Sequence, residues 1–419
     1  MAFFRLGAMV QTGAAAALSQ VMVLVTMPIA SRLFDQSAFG VLGLMVAIAN
    51  ILAIVPHLGY SEAVMAAEDD HEADALVVGV VAISIVSAVP IALLAWIAIR
   101  FDVLGYGELP AWSIGLIVVE AISITLTFLF QQRAIRAQQY RVLASSHLVL
   151  GGARSIGQVA TGLAFANAFG LALSEVVSRV ATAALMIWKA PPTLLRPPFD
   201  RAQIGAVLKR FGSFAAMRAM ATLLNSVNLA LPILIISRHF SLAEVGALTF
   251  TLSILYAPLG FVQKSIGDVF VGTYLSLLQT DKRQAKRTIL QTFWLLLAIA
   301  TAGAAVLYFA GIQLFTFIFG SHWALAGQTA EVFAPAILLM IVITPLSSSL
   351  NVLRRPDIPV VFNLMRLAGL AGVLMIAGPW SSDYLTAVET IVAVLCLTYV
   401  VYGVLILRTN AAALTSDAR

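Results

Sequence analysis

Long apolar runs dominate this chain and constrain its fold more than any other feature. Twelve stretches of about 20 residues contain few Lys, Arg, Asp or Glu and are separated by short polar breaks. An apolar helix of about 20 residues crosses a hydrocarbon core of about 30 Å. Only 11% of the residues are charged, against about 25% in a typical soluble domain. A soluble globular protein is therefore excluded, and we predict an all-α polytopic membrane protein.

The apolar runs place the predicted spans at 7–30, 38–60, 75–99, 110–130, 143–167, 169–188, 211–237, 243–272, 289–311, 326–351, 358–378 and 386–408. Residues 7–30 are long enough for a retained first span, and we do not read them as a cleaved leader. The longest polar connection, residues 189–210, is too short for a soluble domain. We therefore expect the function to reside in the helical bundle.

The basic residues predict how the chain is oriented. Cytoplasmic loops of inner-membrane proteins are enriched in Lys and Arg. With a cytoplasmic N-terminus, only Arg32, Arg100 and Arg238 fall in outer loops. The cytoplasmic loops and termini then hold Arg5, Arg133, Arg136, Arg141, Lys189, Arg196, Arg201, Lys209, Arg210, Lys282, Arg283, Lys286, Arg287, Arg354, Arg355, Arg408 and Arg419. This distribution predicts a multi-pass protein of a bacterial inner membrane with both termini in the cytoplasm. One cytoplasmic loop, residues 61–74, departs from the trend because it is acidic and has no Lys or Arg.

The two halves of the chain share a short motif. Ser31-Arg32-Leu-Phe34 is followed by Gly40, and Ser237-Arg238-His-Phe240 is followed by Gly246, each after a span that contains a proline. Six spans separate the copies, so both halves enter the membrane in the same orientation. We predict two parallel six-helix lobes, residues 1–190 and 211–408, with a cytoplasmic linker at 191–210 and a cytoplasmic tail at 409–419. The motif arginines are expected to anchor the membrane interface, and each glycine to close a turn.

These motifs carry a family resemblance. The end of the first span, Phe39-Gly40 at the start of the second, and Leu58-Gly59-Tyr60-Ser61-Glu62-Ala63 at its other end resemble the Wzx-type O-antigen and exopolysaccharide flippases of the multidrug/oligosaccharidyl-lipid/polysaccharide exporter superfamily. The resemblance implies a V-shaped transporter that works by alternating access. It also implies a substrate, an undecaprenyl-diphosphate-linked oligosaccharide moved from the cytoplasmic to the periplasmic leaflet. Membrane lipids and polysaccharide polymerase machinery are the implied partners, with no nucleic acid.

Five bases lie inside the predicted spans, where an unpaired charge costs at least about 2.5–3.5 kcal/mol. They are Arg154, Arg179, Arg218, Lys264 and Arg366. Arginine can hold phosphate oxygens in a bidentate manner, so we predict that these bases bind the diphosphate. The alternatives are structural: Arg179 and Lys264 have acids four residues away and could pair along their own helices. Arg218 and Arg366 could extend to the membrane interface.

The acids and amides of the spans supply the remaining candidates. Glu120, Glu175 and Asp268 are candidates for coupling transport to protons or sodium, for example by antiport, although each could instead neutralise a base. Gln20, Asn50, Asn225 and Asn228 could contact sugar hydroxyls or hydrogen-bond between helices. No metal cluster, phosphate-binding glycine loop or catalytic nucleophile motif is present in the sequence, so we expect a transporter without a bound cofactor and not an enzyme.

Two other functions remain open from the sequence. A multidrug exporter of the same superfamily, coupled to protons or sodium, would need acids for cationic drugs, and the first three predicted spans contain none. A membrane-embedded polysaccharide polymerase would be expected to carry a long, Arg-bearing outer loop. The predicted outer loops are short and hold only three bases.

Overall fold

The computed structural model describes residues 2–190, 200–262, 267–376 and 383–415. These residues form helices and the turns between them, with no strand among them. The first ten α-helices are α1 (Ala2–Leu33), α2 (Gln36–Leu52), α3 (Ile54–His57), α4 (Tyr60–Ala66), α5 (Asp70–Val86), α6 (Ala88–Arg100), α7 (Ser113–Arg136), α8 (Tyr140–Ala164), α9 (Ala168–Trp188) and α10 (Arg201–His239). The others are α11 (Leu242–Val262), α12 (Asp268–Thr280), α13 (Lys282–Phe319), α14 (Ala324–Ser347), α15 (Ser349–Val352), α16 (Asp357–Ile376) and α17 (Tyr384–Thr415). Short 3₁₀ turns occupy Val103–Glu108 and Ser321–Trp323.

The helices confirm a polytopic membrane protein. Within the described ranges, 10 helices are long and apolar enough to cross a membrane, and the bent pair α5–α6 raises the number to 11. The fifth predicted span is α8, which has 25 residues and is long enough, at about 37 Å, to cross. Helix α8 is less apolar than the other predicted spans because it contains Ser, Gly, Arg and Gln residues. Its polar side chains contact neighbouring helices.

One predicted span differs in detail from the observed helices. The span at 75–99 is broken, since α5 and α6 meet at 46°. Pro90 stands in the first turn of α6, where its ring would clash with the carbonyl of Val86 in a continuous helix. The span at 243–272 covers α11 and the start of α12, and residues 263–266 between them lie outside the described residues.

The chain separates into two compact units, Met1–Gly246 and Ala247–Arg419. The first unit holds α1 to α10 and the first turn of α11, with α10 packed against α2, α4 and α5. The predicted lobe boundaries at residues 190 and 211 stay a prediction.

The motif glycines do not close turns, and that expectation was wrong. Gly40 lies inside α2 and Gly246 inside α11. Arg238 pairs with Asp102 at 3.0 Å.

Candidate functional site

A buried carboxylate that faces two arginines forms the centre of the candidate site in the first unit. Glu175, on α9, is 1% exposed. Its Oε1 accepts a hydrogen bond of 3.2 Å from Nε of Arg179, one helical turn further along. Its Oε2 lies 2.8 Å from Nε of Arg154 on α8, an ion pair whose angle is not that of a hydrogen bond. Both arginine side chains are 25% exposed, so neither is fully enclosed by the protein.

A second acid, Glu120 of α7, lies beside this ion-pair cluster. Helix α7 packs against α9, and Glu120 interacts electrostatically with Glu175, Arg179 and Arg154. Its side chain is fully buried, and neither carboxyl oxygen has a hydrogen-bond partner among the described residues. Glu120 therefore differs from Glu175, whose charge is matched by direct contacts.

The cluster lies at similar depth on its helices. Glu120 and Glu175 each come seven residues after their helix begins, at Ser113 and Ala168, about 10 Å from that end. Gln158, one turn from Arg154 on α8, is also fully buried, and its amide has no hydrogen-bond partner among the described residues. Gln158 was missed as a candidate from the sequence, although its four-residue spacing from Arg154 was a usable signal.

A different cluster contains Arg218. Glu62 of α4 is 9% exposed, and its Oε1 accepts a hydrogen bond of 3.3 Å from the Thr222 hydroxyl. Nε of Arg218 lies 4.0 Å from the same oxygen. His57 Nδ1 lies 4.0 Å from Glu62 Oε2 and accepts a hydrogen bond from the amide of Gly59. Arg218 is thus a partner of Glu62 and is 47% exposed.

The acidic segment 61–74 pairs with bases from other helices. Asp74 accepts a 2.6 Å hydrogen bond from Nε of Arg133, and both side chains are 10% exposed. Asp70 accepts one of 3.0 Å from Arg136. Arg210 of α10 donates to Glu72 at 2.8 Å and also pairs with Glu68. These ion pairs neutralise the negative charge of the acidic segment 61–74, which has no Lys or Arg of its own.

Arg366 lies in the second unit, in an aromatic environment. It is 6% exposed, and its guanidinium carbon lies 5.5 Å from the centre of the Phe362 ring. The Phe362 ring stacks on Tyr402. Nε of Arg366 has no hydrogen-bond partner among the described residues. Arg366 is therefore packed in an aromatic cluster, and its extension to the membrane interface stays a prediction.

The amide candidates are dispersed. Gln20 and Asn225 are exposed, whereas Asn50 donates to the Val46 carbonyl at 2.8 Å and the buried Asn228 donates to that of Leu224 at 3.0 Å. The last two therefore satisfy part of their hydrogen bonding within their own helices. Lys264 lies outside the described residues, and so does the side chain of Asp268. Their predicted ion pair stays a prediction.

Of the five predicted phosphate-binding bases, the structure brings Arg154 and Arg179 together and gives Arg218 a different acid. The pair Glu175 and Arg179 is confirmed. Arg154, which has no acid within four residues in sequence, finds Glu175 on the next helix.

Comparison with known proteins gives one family and one fold. Residues 29–327 match the model of a family described as polysaccharide biosynthesis protein. No curated protein matches the chain significantly. The chain is similar to the lipid II flippase MurJ in an inward closed conformation, with a TM-score of 0.71 and 11% identity over 97% of this chain and 91% of that one.

Two further solved structures of the MOP superfamily share the fold. An inward-facing multidrug resistance transporter of the MATE family gives a TM-score of 0.67 at 14% identity, covering 97% of this chain and 96% of that one. A MOP superfamily transporter from Pyrococcus furiosus, whose binding pocket is described as reversed in polarity, gives 0.57 at 13% identity, covering 98% and 96%. These likenesses establish the fold of a MOP superfamily transporter.

Proposed function

Because this chain belongs to the family of polysaccharide biosynthesis proteins, we propose that it is a flippase for an undecaprenyl-diphosphate-linked oligosaccharide. The lipid-linked glycan would move from the cytoplasmic to the periplasmic leaflet of a bacterial inner membrane by alternating access. Both termini would lie in the cytoplasm, and a polysaccharide polymerase would use the product. Arg154 and Arg179 would hold the diphosphate.

One observation carries the cationic site: a single buried carboxylate faces two arginines. Glu175 can neutralise only one of the charges on Arg154 and Arg179 by direct contact. A second arginine in a membrane span costs at least about 2.5–3.5 kcal/mol unless it has a partner or water. A purely structural pair would need one base, so the additional charge favours an anionic ligand. Each guanidinium is partly exposed and retains donors for phosphate oxygens.

The cargo is supported by two independent comparisons. The family is one of polysaccharide biosynthesis, and a structure that shares the fold is a flippase of lipid II. A lipid-linked glycan satisfies both, since it is a lipid to be flipped and a precursor of polysaccharide. Multidrug export is the second candidate, because a transporter of that function shares the fold. The two arginines of the cluster disfavour it for cationic drugs, because like charges repel.

The test uses the full chain reconstituted in vesicles with a fluorescently labelled undecaprenyl-diphosphate-linked glycan. Transport is read as the exposure of labelled lipid to a membrane-impermeant quencher. Arg154→Gln keeps the Arg179 pair for Glu175, so the fold is retained. It removes a charge-assisted hydrogen bond of about 1.5–3 kcal/mol, and we expect transport at least tenfold slower.

The matched control is Arg238→Gln, which removes an arginine whose pair with Asp102 is half exposed. It should transport at the wild-type rate. Equal rates for Arg154→Gln and Arg238→Gln would exclude the cationic site. Failure of the wild type to move the lipid, together with export of a cationic dye, would favour the multidrug function instead.

A further inference from the structure

Glu120 is an acid that the proposed binding role does not use. It is fully buried on α7, and both oxygens lack hydrogen-bond partners among the described residues. An ionised carboxylate in such a place is costly unless a positive charge compensates it, whereas the protonated acid is tolerated much better. Its charge state must therefore depend on how far nearby positive charge is already neutralised.

The charged groups that act on Glu120 come from two helices. They are Glu175 and Arg179 on α9 and Arg154 on α8. The other helices packed against α7 are α2, α3, α4, α5 and α6, and α2 contains no ionisable side chain.

The ionisable groups on those remaining helices lie elsewhere or have other partners. His57 lies beside Phe128. Phe128 comes eight residues after Glu120 on α7, about 12 Å further along the helix. Glu62 contacts Thr222, and Asp70 and Asp74 pair with arginines at the far end of α7. Glu68 lies outside these helices and Glu72 pairs with Arg210, while His71 at the start of α5 and Arg100 at the end of α6 are exposed.

The ion-pair cluster has only two net charge states when Glu175 and both arginines are ionised. With Glu120 protonated, the cluster carries one positive charge and attracts an anion. With Glu120 ionised, the cluster is neutral, and Glu120 takes the place that an anion would otherwise fill. An anionic headgroup and the ionised Glu120 therefore compete for the same arginine charge.

We propose that Glu120 is the proton site of this protein and that it acts as an internal counter-ion to the headgroup-binding arginines. Binding of the anionic headgroup takes up a proton from water onto a Glu120 oxygen. Loss of that proton returns negative charge to the cluster and expels the headgroup. Because linkage is reciprocal, protonation strengthens headgroup binding by the same factor by which binding favours protonation. This inference rests on the proposed function, since it concerns the same arginines.

Proton uptake can be measured directly. The full-length protein in detergent is titrated with undecaprenyl diphosphate by calorimetry, in two buffers that differ in ionisation enthalpy. The difference in heat gives the number of protons taken up per headgroup bound. We expect up to one more proton for the wild type than for Glu120→Gln, which is isosteric and permanently neutral. Protons exchanged by the lipid itself are common to both proteins and cancel.

The affinity of the two proteins should also separate with pH. For one linked proton, the ratio of the wild-type Kd to the Kd of Glu120→Gln rises by up to tenfold for each unit increase in pH. Glu120→Gln should bind at least as tightly as the wild type and yet move the lipid at least tenfold more slowly, because it cannot expel the headgroup. A merely structural role would reduce binding and transport together. Glu389→Gln is the matched control, since Glu389 is an exposed acid in α17, and it should keep the wild-type proton uptake.

The outcomes separate the two proposals. Equal proton uptake by the wild type and Glu120→Gln, with binding intact, overturns the role of Glu120 and leaves the arginine site standing. Absence of undecaprenyl diphosphate binding by the wild type at every pH overturns the proposed function, and the counter-ion role falls with it.

Discussion

Gly40 and Gly246, which occupy equivalent positions of the internal repeat, let two helices approach backbone to backbone. A Cβ atom on Gly40 would lie 2.1 Å from the carbonyl oxygen of Leu242, and one on Gly246 would lie 1.7 Å from that of Gln36. Gln36 and Leu242 are themselves equivalent in the repeat. The contact is therefore self-complementary, since each glycine meets the carbonyl oxygen at the repeat position equivalent to the one that the other glycine meets.

Gly40→Ala should destabilise the protein. The methyl group cannot be accommodated beside a backbone oxygen, and overpacking of this kind costs about 1–3 kcal/mol. We expect a lower midpoint of thermal unfolding in detergent and slower lipid transport. Gly115→Ala is the control, because no atom lies within 4 Å of a Cβ atom at Gly115 and alanine favours a helix by about 0.5–1 kcal/mol. Identical midpoints for the two variants would contradict the close approach.

Asp74→Asn should have a large effect on stability. It leaves the charge of Arg133 in a site where that side chain is 10% exposed, and breaking a buried pair costs about 3–5 kcal/mol. The loss is expected at the lower end, because Asp70 lies 3.7 Å from Arg133 and compensates in part. Unfolding in denaturant would measure it.

Arg238→Gln provides the comparison for Asp74→Asn. Its pair with Asp102 is about half exposed on both sides, and pairs of this kind contribute about 1 kcal/mol or less. A loss of stability for Arg238→Gln as large as that for Asp74→Asn would show that burial does not set the strength of these pairs.

Arg210 should hold the first turns of α10 against α4 and α5. It pairs with Glu68 and Glu72, and Ser61, in the first turn of α4, is fully buried. In a Cys396→Ser background, which removes the single native cysteine, we expect a Ser61→Cys variant to react slowly with a maleimide. Adding Arg210→Ala should speed the reaction several-fold, because an exposed ion pair stabilises the contact only modestly.

Lys209→Ala, at the neighbouring exposed position, is the control for the labelling experiment. It should leave the reaction rate of the Ser61→Cys variant unchanged. Acceleration by Lys209→Ala equal to that by Arg210→Ala would mean that general loss of positive charge opens the site, and not loss of the Glu68 and Glu72 pairs.

Reporter fusions test the predicted orientation. Green fluorescent protein fused after Arg408 should fluoresce, because it folds in the cytoplasm, whereas alkaline phosphatase fused after Tyr106 should be active, because it requires the periplasm. The expectation follows from the excess of Lys and Arg in the predicted cytoplasmic loops. The opposite pair of activities would invert the orientation.

The sequence by itself determined the features that depend on neighbours along the chain. Apolar runs of sufficient length predicted membrane helices, because each helix satisfies its backbone hydrogen bonds internally. The pair Glu175 and Arg179 was also predictable, since residues four apart share a helix face. The Pro90 break within one predicted span was missed, although proline is a local signal for a kink.

Only the tertiary structure decided which charges meet. Arg154 joins Glu175 from another helix, and Arg210 reaches Glu72 across 138 residues of sequence. The same packing leaves Glu120 without a hydrogen-bond partner among the described residues, which distinguishes it from Glu175 although both are single acids in apolar spans. The physical reason is that helical periodicity fixes the face on which a side chain lies, whereas helix packing fixes what faces it and how much water remains.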